Sequence, residues 1–481
     1  MDENNNMSEE IQVTEKVSKH VGKGILIAGV MGVILLIYLG MSIFFTSHYF
    51  FNTTIAGVDY SLQNKESVQK KILEPNASFT VTLKGRNDVT DSFSTQNLGM
   101  SYVFDDSLEK INESQNVYLW PLSLFKDNEY ELSVYVSYDR EQLEKEITSL
   151  SLFDSNNCKK PSDAHIGAFD EEKGKYDIVI EDKGSELQID KTLDCVENAF
   201  TTIAFGQDEV IIDLDEQNCY LSPLINSDNT ALHDTLEKVN TYVSTNISYD
   251  WNGQTEVIDG ALISNWIAVK GTEAVLDTEA VRTYVDILAK KNDTYGKNRS
   301  FQAISGNVLS LRGGAYGWKT DVEAETQALI EEIKKGETLK KEPIYQSKGR
   351  IKGQNDIGSS YIENNLSTQH LYLFEKGNII FETAFVSGNM SNGCATPAGV
   401  FGLTYKTTEA TLQGEDYESF VHYWMPFNGN VGMHDATWRS EFGGDIYLTN
   451  GSHGCVNLPL GSAEYLYNYV QEGFPIVCYY E

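Results

Sequence analysis

Ser452-His453-Gly454-Cys455-Val456-Asn457, preceded by Gly432-Met433-His434-Asp435, gathers a thiol, two imidazoles and flanking glycines within 26 residues. A thiol attacks a carbonyl carbon well only as thiolate, and a neighbouring imidazole takes its proton at neutral pH. Gly454, directly before Cys455, removes a side chain where a substrate would approach. It also frees the backbone to aim successive N–H groups at a developing oxyanion. A Cys or His taken singly is more often packing than chemistry, so the cluster carries the reading: a candidate nucleophile site. Spacing does not choose the base. His453 is two residues from Cys455 and His434 is 21 residues upstream, and either reaches the sulfur in some fold of the intervening segment.

At these residues the chain resembles the L,D-transpeptidase (YkuD-type) family, whose signature is a histidine, an interval, then Ser/Thr-His-Gly-Cys, an apolar residue and Asn. The resemblance runs over about residues 344 to 481 and includes Thr396-Pro397-Ala398-Gly399-Val400-Phe401. It implies Cys455 as nucleophile and His434 as base, with N–H groups of His453, Gly454 and Cys455 as oxyanion donors. Ser452 and Asn457 would support the loop, and ordinary turn polarity explains them equally well. The family orients its base with a backbone carbonyl, so Asp435 is not required as a triad acid. Arg439 is a candidate ligand for a substrate carboxylate, an ion pair with Glu441 being the competing reading.

The reaction implied is acyl transfer between peptidoglycan stem peptides. A donor tetrapeptide loses D-alanine to form a thioester, and an acceptor amine then makes a 3→3 cross-link, without metal or cofactor. Carbapenem-type β-lactams are the implied inhibitors. Two alternatives stand beside this reading: an L,D-carboxypeptidase, with water as acceptor, and a non-catalytic cell-wall-binding protein. A sortase-like arrangement would need an Arg after the Cys, and a papain-like one a His after it; neither follows Cys455.

The 481 residues are enough for about three domains, and 41% hydrophobic residues can build cores. With 37 basic against 70 acidic residues, the net charge of −33 argues against nucleic acid or an anionic membrane surface as the main partner. Residues 24–45 carry no charge over 22 positions, enough at helical rise to cross roughly 30 Å of hydrocarbon. A cleaved signal peptide would have a shorter apolar core and a small-residue cleavage site. Lys16, Lys19 and Lys23 precede the span and no Lys or Arg follows until Lys65. The expected arrangement is therefore a single-pass protein of the cell membrane, its tail 1–23 cytoplasmic and everything from about Thr46 outside; the resemblance implies that the catalytic domain acts there at the cell wall.

Six scattered cysteines form no C-x-x-C pair, so zinc is not implied. Cys195 and Cys219 could bridge in an exterior compartment, and Cys394 and Cys478 read as packing residues.

A weak repeat with an offset of 168 positions organises the middle of the chain. Phe79–Gly85 and Ile247–Gly253 each read as a strand ending in a turn, with Val89 and Val257 on the return strands and a helix near Leu108 or Leu276. Asp277 caps a helix whose apolar positions are Val281, Tyr284, Val285 and Leu288; Thr320 with Glu323 reads as a capping box for a helix ending at Gly336. Two α+β modules are expected, 46–230 and 231–343. They resemble, more loosely, a peptidoglycan-binding domain, and a plain stalk is an equal alternative. Residues 344–481 should form a mainly β catalytic domain, with a hairpin made by His370–Phe374, a Lys376-Gly377-Asn378 turn and Ile379–Phe385.

Overall fold

The computed structural model describes residues 6–73, 78–203, 205–414 and 418–481, with side chains from residue 26 onward. One helix runs from Asn6 to Ser47, and its Leu26–Ser47 part is long and apolar enough to cross a membrane. The chain divides into two compact units, Met1–Asp163 with Glu181–Ile225, and Ala164–Ile180 with Asn226–Glu481.

The repeat emerges as one topology used twice. In the first unit the strands Thr80–Lys84 and Thr90–Ser94 form an antiparallel hairpin, and Glu209–Asp213 joins Thr80–Lys84 in parallel. In the second unit Asn246–Trp251 and Gln254–Ile258 form the hairpin, and Thr338–Lys341 adds the parallel third strand. A parallel neighbour demands a long crossover. Each crossover ends in an amphipathic helix just before the third strand, Ile189–Thr201 in one copy and Val322–Lys335 in the other. Asp277 caps the Thr278–Asn292 helix by accepting from the N–H groups of Glu279 and Ala280.

The expected capping box is displaced by one residue. Asp321 is the N-cap of the Val322–Lys335 helix, accepting from Ala324 N–H at 3.0 Å. Thr320 instead donates its hydroxyl to Asp293 at 2.7 Å. Gly336 ends the helix at φ 68°, a left-handed position that glycine occupies without strain. The helix expected near Leu108 spans Ser107–Ser114, whereas Leu276 ends a strand and the next helix begins at Thr278.

The C-terminal part of the second unit is mainly β, as expected. Five strands pair in the order Asn378–Ala384, His370–Glu375, Tyr361–Asn365, Pro475–Tyr479, Gly399–Gly402. The hairpin turns through Lys376 and Gly377, at φ 48° and 82°, the positive angles a two-residue turn needs to match strand twist. A second sheet orders Thr407–Gln413, Glu418–Asn428, Val431–Asp435 and Val456–Leu458. Ile362, Leu371 and Leu373 of the first sheet share a core with Met425, Phe427, Met433, Val456 and Leu458 of the second. The helix Leu460–Tyr469 closes that core with Ala463 and Leu466.

A strand pair from the preceding module packs onto this domain. Phe301 and Leu311, on the paired strands Arg299–Gln302 and Val308–Leu311, are buried with Val400, Val477 and Tyr479. Arg299 anchors the same region: its guanidinium grips Asp356 through two bonds of 2.7 and 2.8 Å. It also donates to the carbonyls of Lys297, Thr294 and Tyr316.

Candidate active site

Val431–Asp435 and Val456–Leu458 are parallel neighbours, with His434 registered against Asn457. The interval between the signature histidine and cysteine is therefore a crossover, and it returns the chain beside the strand it left. Because side chains two apart share a strand face, this pairing brings His434 and Cys455 to one place. The cleft there, about 180 Å³, is lined by His434, Trp438, Arg439, Ser452, His453, Cys455 and Asn457, among others. Six of the seven residues singled out from sequence line it; the seventh, Gly454, supplies the turn before Cys455 at φ 119°.

Cys455 is buried against Val421 and Trp424. Its Sγ donates to the Asn430 carbonyl at 3.5 Å, and burial pushes the thiol pKa up to about 11. His434 is buried as well, and desolvation holds its pKa below the ordinary imidazole value. Loss of water disfavours both charged forms, so at neutral pH the resting pair is thiol and neutral imidazole. His434 Nδ1 lies 2.8 Å from the Asp435 carbonyl oxygen. Only a donor can sit there, so the proton is on Nδ1 and Nε2 carries the basic lone pair. Trp424 and Trp438 flank the ring at centroid distances of 5.8 and 6.0 Å.

The Asp435 carboxylate points elsewhere. It is fully buried and accepts from the backbone N–H groups of His422 and Tyr423, at 2.7 and 2.8 Å, and lies 3.0 Å from His422 Nδ1. It braces the strand pair rather than the imidazole of His434. Ser452 spans the loop, donating to the Cys455 carbonyl at 2.5 Å and accepting from Gly454 N–H at 3.1 Å. The Gly454 N–H is thus committed within the loop, which departs from its expected use as an oxyanion donor in this state. His453 is exposed at the rim, whereas His434 is only 4% exposed.

Arg439 does not pair with Glu441 among the described residues. It donates through Nη1 to the Asn450 carbonyl at 2.8 Å, and its Nε is buried without a hydrogen-bond partner. Asn457 Oδ1 is likewise buried and unpartnered.

Sequence reasoning missed two supports. Thr396 accepts from Gly388 N–H at 2.9 Å and donates to the Gly454 carbonyl at 2.8 Å, locking the turn before the thiol. It stood in the Thr396-Pro397 motif without an assigned role. The Asn430 carbonyl that holds the thiol has no side-chain signature.

A buried thiol beside an imidazole with a fixed tautomer, on a mainly β scaffold, defines a candidate nucleophile site for acyl chemistry. Comparison with known proteins gives the family. Residues 359–478 match the family described as YkuD, the L,D-transpeptidase catalytic domain, and residues 225–340 match a peptidoglycan binding domain. An Enterococcus faecium L,D-transpeptidase, crystallised as a cysteine-to-serine mutant, is 34% identical over 51% of this chain and 100% of its own, with a TM-score of 0.43. The solution structure of an E. faecium L,D-transpeptidase catalytic domain acylated by ertapenem is 41% identical over 25% of this chain and 98% of its own, with a TM-score of 0.24. No curated protein sequence matches. The chain belongs to the L,D-transpeptidase family, with its catalytic domain preceded by a peptidoglycan-binding domain.

Proposed function

We propose that this protein is a membrane-anchored L,D-transpeptidase that forms 3→3 peptidoglycan cross-links through a thioester on Cys455. The observation that carries the reading is that the parallel pairing of Val431–Asp435 with Val456–Leu458 brings His434 and Cys455, the residue just before the second strand, into one cleft, with the His434 Nδ1–H committed to a carbonyl. His434 Nε2 takes the Cys455 proton as sulfur attacks the carbonyl of the third stem residue. The tetrahedral oxyanion is met by the N–H groups of His453 and Cys455, that of Gly454 being held by Ser452 Oγ. Collapse breaks the amide bond, and His434 returns the proton to the leaving D-alanine amine. The acceptor's side-chain amine then attacks the thioester and gives up a proton to His434, restoring the thiol. Arg439 holds a substrate carboxylate with the Nε that now lacks a partner.

The helix Leu26–Ser47 serves as the anchor, and the lysine bias ahead of it puts the catalytic domain at the wall. Residues 46–230 and 231–343 act as two related modules, and peptidoglycan stem peptides are the donor and acceptor. Carbapenem-type β-lactams acylate Cys455, a reading supported by the ertapenem adduct of the E. faecium relative.

The test is mass spectrometry of the protein with disaccharide-tetrapeptide and an amine acceptor. The expected products are a thioester adduct and cross-linked dimers. Predominant tripeptide at saturating acceptor would make the enzyme an L,D-carboxypeptidase. Absence of adduct and product from a folded protein would leave only wall binding.

A further inference from the structure

Val117–Phe125 reads VYLWPLSLF, nine residues without a charge, followed at once by Lys126. Eight of them form a 3₁₀ segment containing Pro121. Such a stretch would ordinarily be buried, yet here Tyr118, Leu119, Leu122, Leu124 and Phe125 are all exposed, Phe125 at 90%. Contiguous exposed apolar surface of this kind marks an interaction site.

The segment is docked on the apolar helix. Trp120 Nε1 donates to the Tyr38 carbonyl at 3.3 Å, and Tyr38 Oη donates to the Tyr118 carbonyl at 3.0 Å. The Trp120 ring also packs against Phe45, at 5.9 Å between centroids.

The level of that contact is informative. Hydrocarbon about 30 Å thick takes up ~20 helical residues. Counted from Lys23, the last charge before the span, those residues end near Ile43. Tyr38 lies five residues short of that end, roughly 8 Å inside at helical rise. Ile43 itself remains 71% exposed, so the folded unit leaves one helix face open at this depth.

We infer that Val117–Phe125 is a second membrane contact, an apolar foot that dips into the outer leaflet beside the transmembrane helix. The inference rests on the membrane-anchor reading above. Its occupant is the lipid acyl region, because the foot is continuous with the span through Tyr38 and its exposed Leu119, Leu122, Leu124 and Phe125 side chains are wholly apolar. Net charge does not oppose it, since the segment enters through apolar area and not through attraction to headgroups. The foot ties the start of the exterior domain to the bilayer at two points and so restricts tilt about the single helix.

The test uses the full chain in vesicles of phosphatidylcholine and phosphatidylglycerol containing a phospholipid with a diazirine in its acyl chain. After photolysis and proteolysis, mass spectrometry reads which peptides carry lipid. The expected result is adducts on 26–47 and on 117–125. A Leu122→Glu, Phe125→Glu double variant should lose the second adduct and keep the first; both side chains are exposed, so folding is spared. Adducts confined to 26–47 would overturn the foot and leave the anchor standing. Adducts on neither peptide would overturn both. Cross-linking of 117–125 to another protein chain in place of lipid would also overturn the proposal.

Discussion

Arg299–Asp356 and Cys455–His434 are both buried polar pairs in the second unit, but one is saturated with partners and the other is left short of them. Every bond Arg299 makes is matched: Asp356 takes two, and three carbonyls take the rest. The Asp356 carboxylate also accepts from Thr294 Oγ1 at 2.5 Å. Charge survives there because all three guanidinium nitrogens and both carboxylate oxygens have partners. Around Cys455 the low dielectric is present without the partners. The thiol has only a 3.5 Å bond to a carbonyl, and Arg439 Nε and Asn457 Oδ1 go unpaired. The first cluster holds two segments in place, whereas the second keeps proton-transfer groups neutral and hydrogen-bonding capacity in reserve for a ligand.

The largest break should come at the thiol. Cys455→Ala is expected to abolish acylation by tetrapeptide and by carbapenem, because no other nucleophile lines the cleft in the required place. Intact-protein mass spectrometry should show no adduct, with an unfolding temperature close to that of the parent. An adduct on the variant would end the assignment. At the saturated cluster the effect should fall on stability. Asp356→Ala leaves the buried Arg299 without its counter-charge and should cost about 3–5 kcal/mol, read by urea denaturation. An unchanged midpoint would show that the pair does not hold these segments.

His434→Ala should lower the acylation rate by roughly 10²-fold or more, the range for losing a general base, with His453→Ala much milder. The reverse ranking would move the base to the rim. The same contrast can be drawn by pH. Burial opposes the thiolate, so its pKa lies up at about 11. Iodoacetamide labelling of Cys455 in the free enzyme should therefore climb about tenfold per pH unit from pH 7 and level off only near 11. Burial opposes the imidazolium too, so the acid limb of kcat/KM should lie below the ordinary imidazole pKa of about 6.5. A labelling plateau already at pH 7 would mean a preformed thiolate–imidazolium pair, and the two clusters would then be alike.

Much of this was readable from residue types alone. The cluster at 434–457, the Lys376-Gly377 turn, the Asp277 cap and the paired hairpins near residues 80 and 250 are local patterns, and local physics decides them. What escaped was long-range. The Thr320 box failed because two capable residues stand side by side, and a partner 27 positions earlier, Asp293, draws Thr320 away from the helix. Spacing left His434 and His453 equivalent because the parallel pairing of Val431–Asp435 with Val456–Leu458 depends on packing across the whole domain. The Asn430 and Asp435 carbonyls are invisible for a simpler reason, since every residue has one. The apolar foot was missed because an uncharged run of nine reads as core until its exposure is seen.

The smallest expected effect sharpens the comparison most finely, because it asks what the unpaired groups are for. Arg439 is half-buried, gives one bond to the Asn450 carbonyl and keeps Nε without a partner. An Nε left unmatched in a protein interior costs stability, so a substrate carboxylate arriving there would recover that loss on binding. Lys presents a single ammonium and cannot keep the Asn450 bond while reaching the same carboxylate as a fork. Arg439→Lys should therefore raise KM for tetrapeptide about tenfold, equivalent to roughly 1.4 kcal/mol, with kcat nearly unchanged. A donor lacking its terminal carboxylate should show no difference between the two proteins. If KM is unaffected and the unfolding midpoint falls instead, Arg439 belongs with Arg299 as a brace, and the reserve of hydrogen bonding in the cleft shrinks to Asn457 alone.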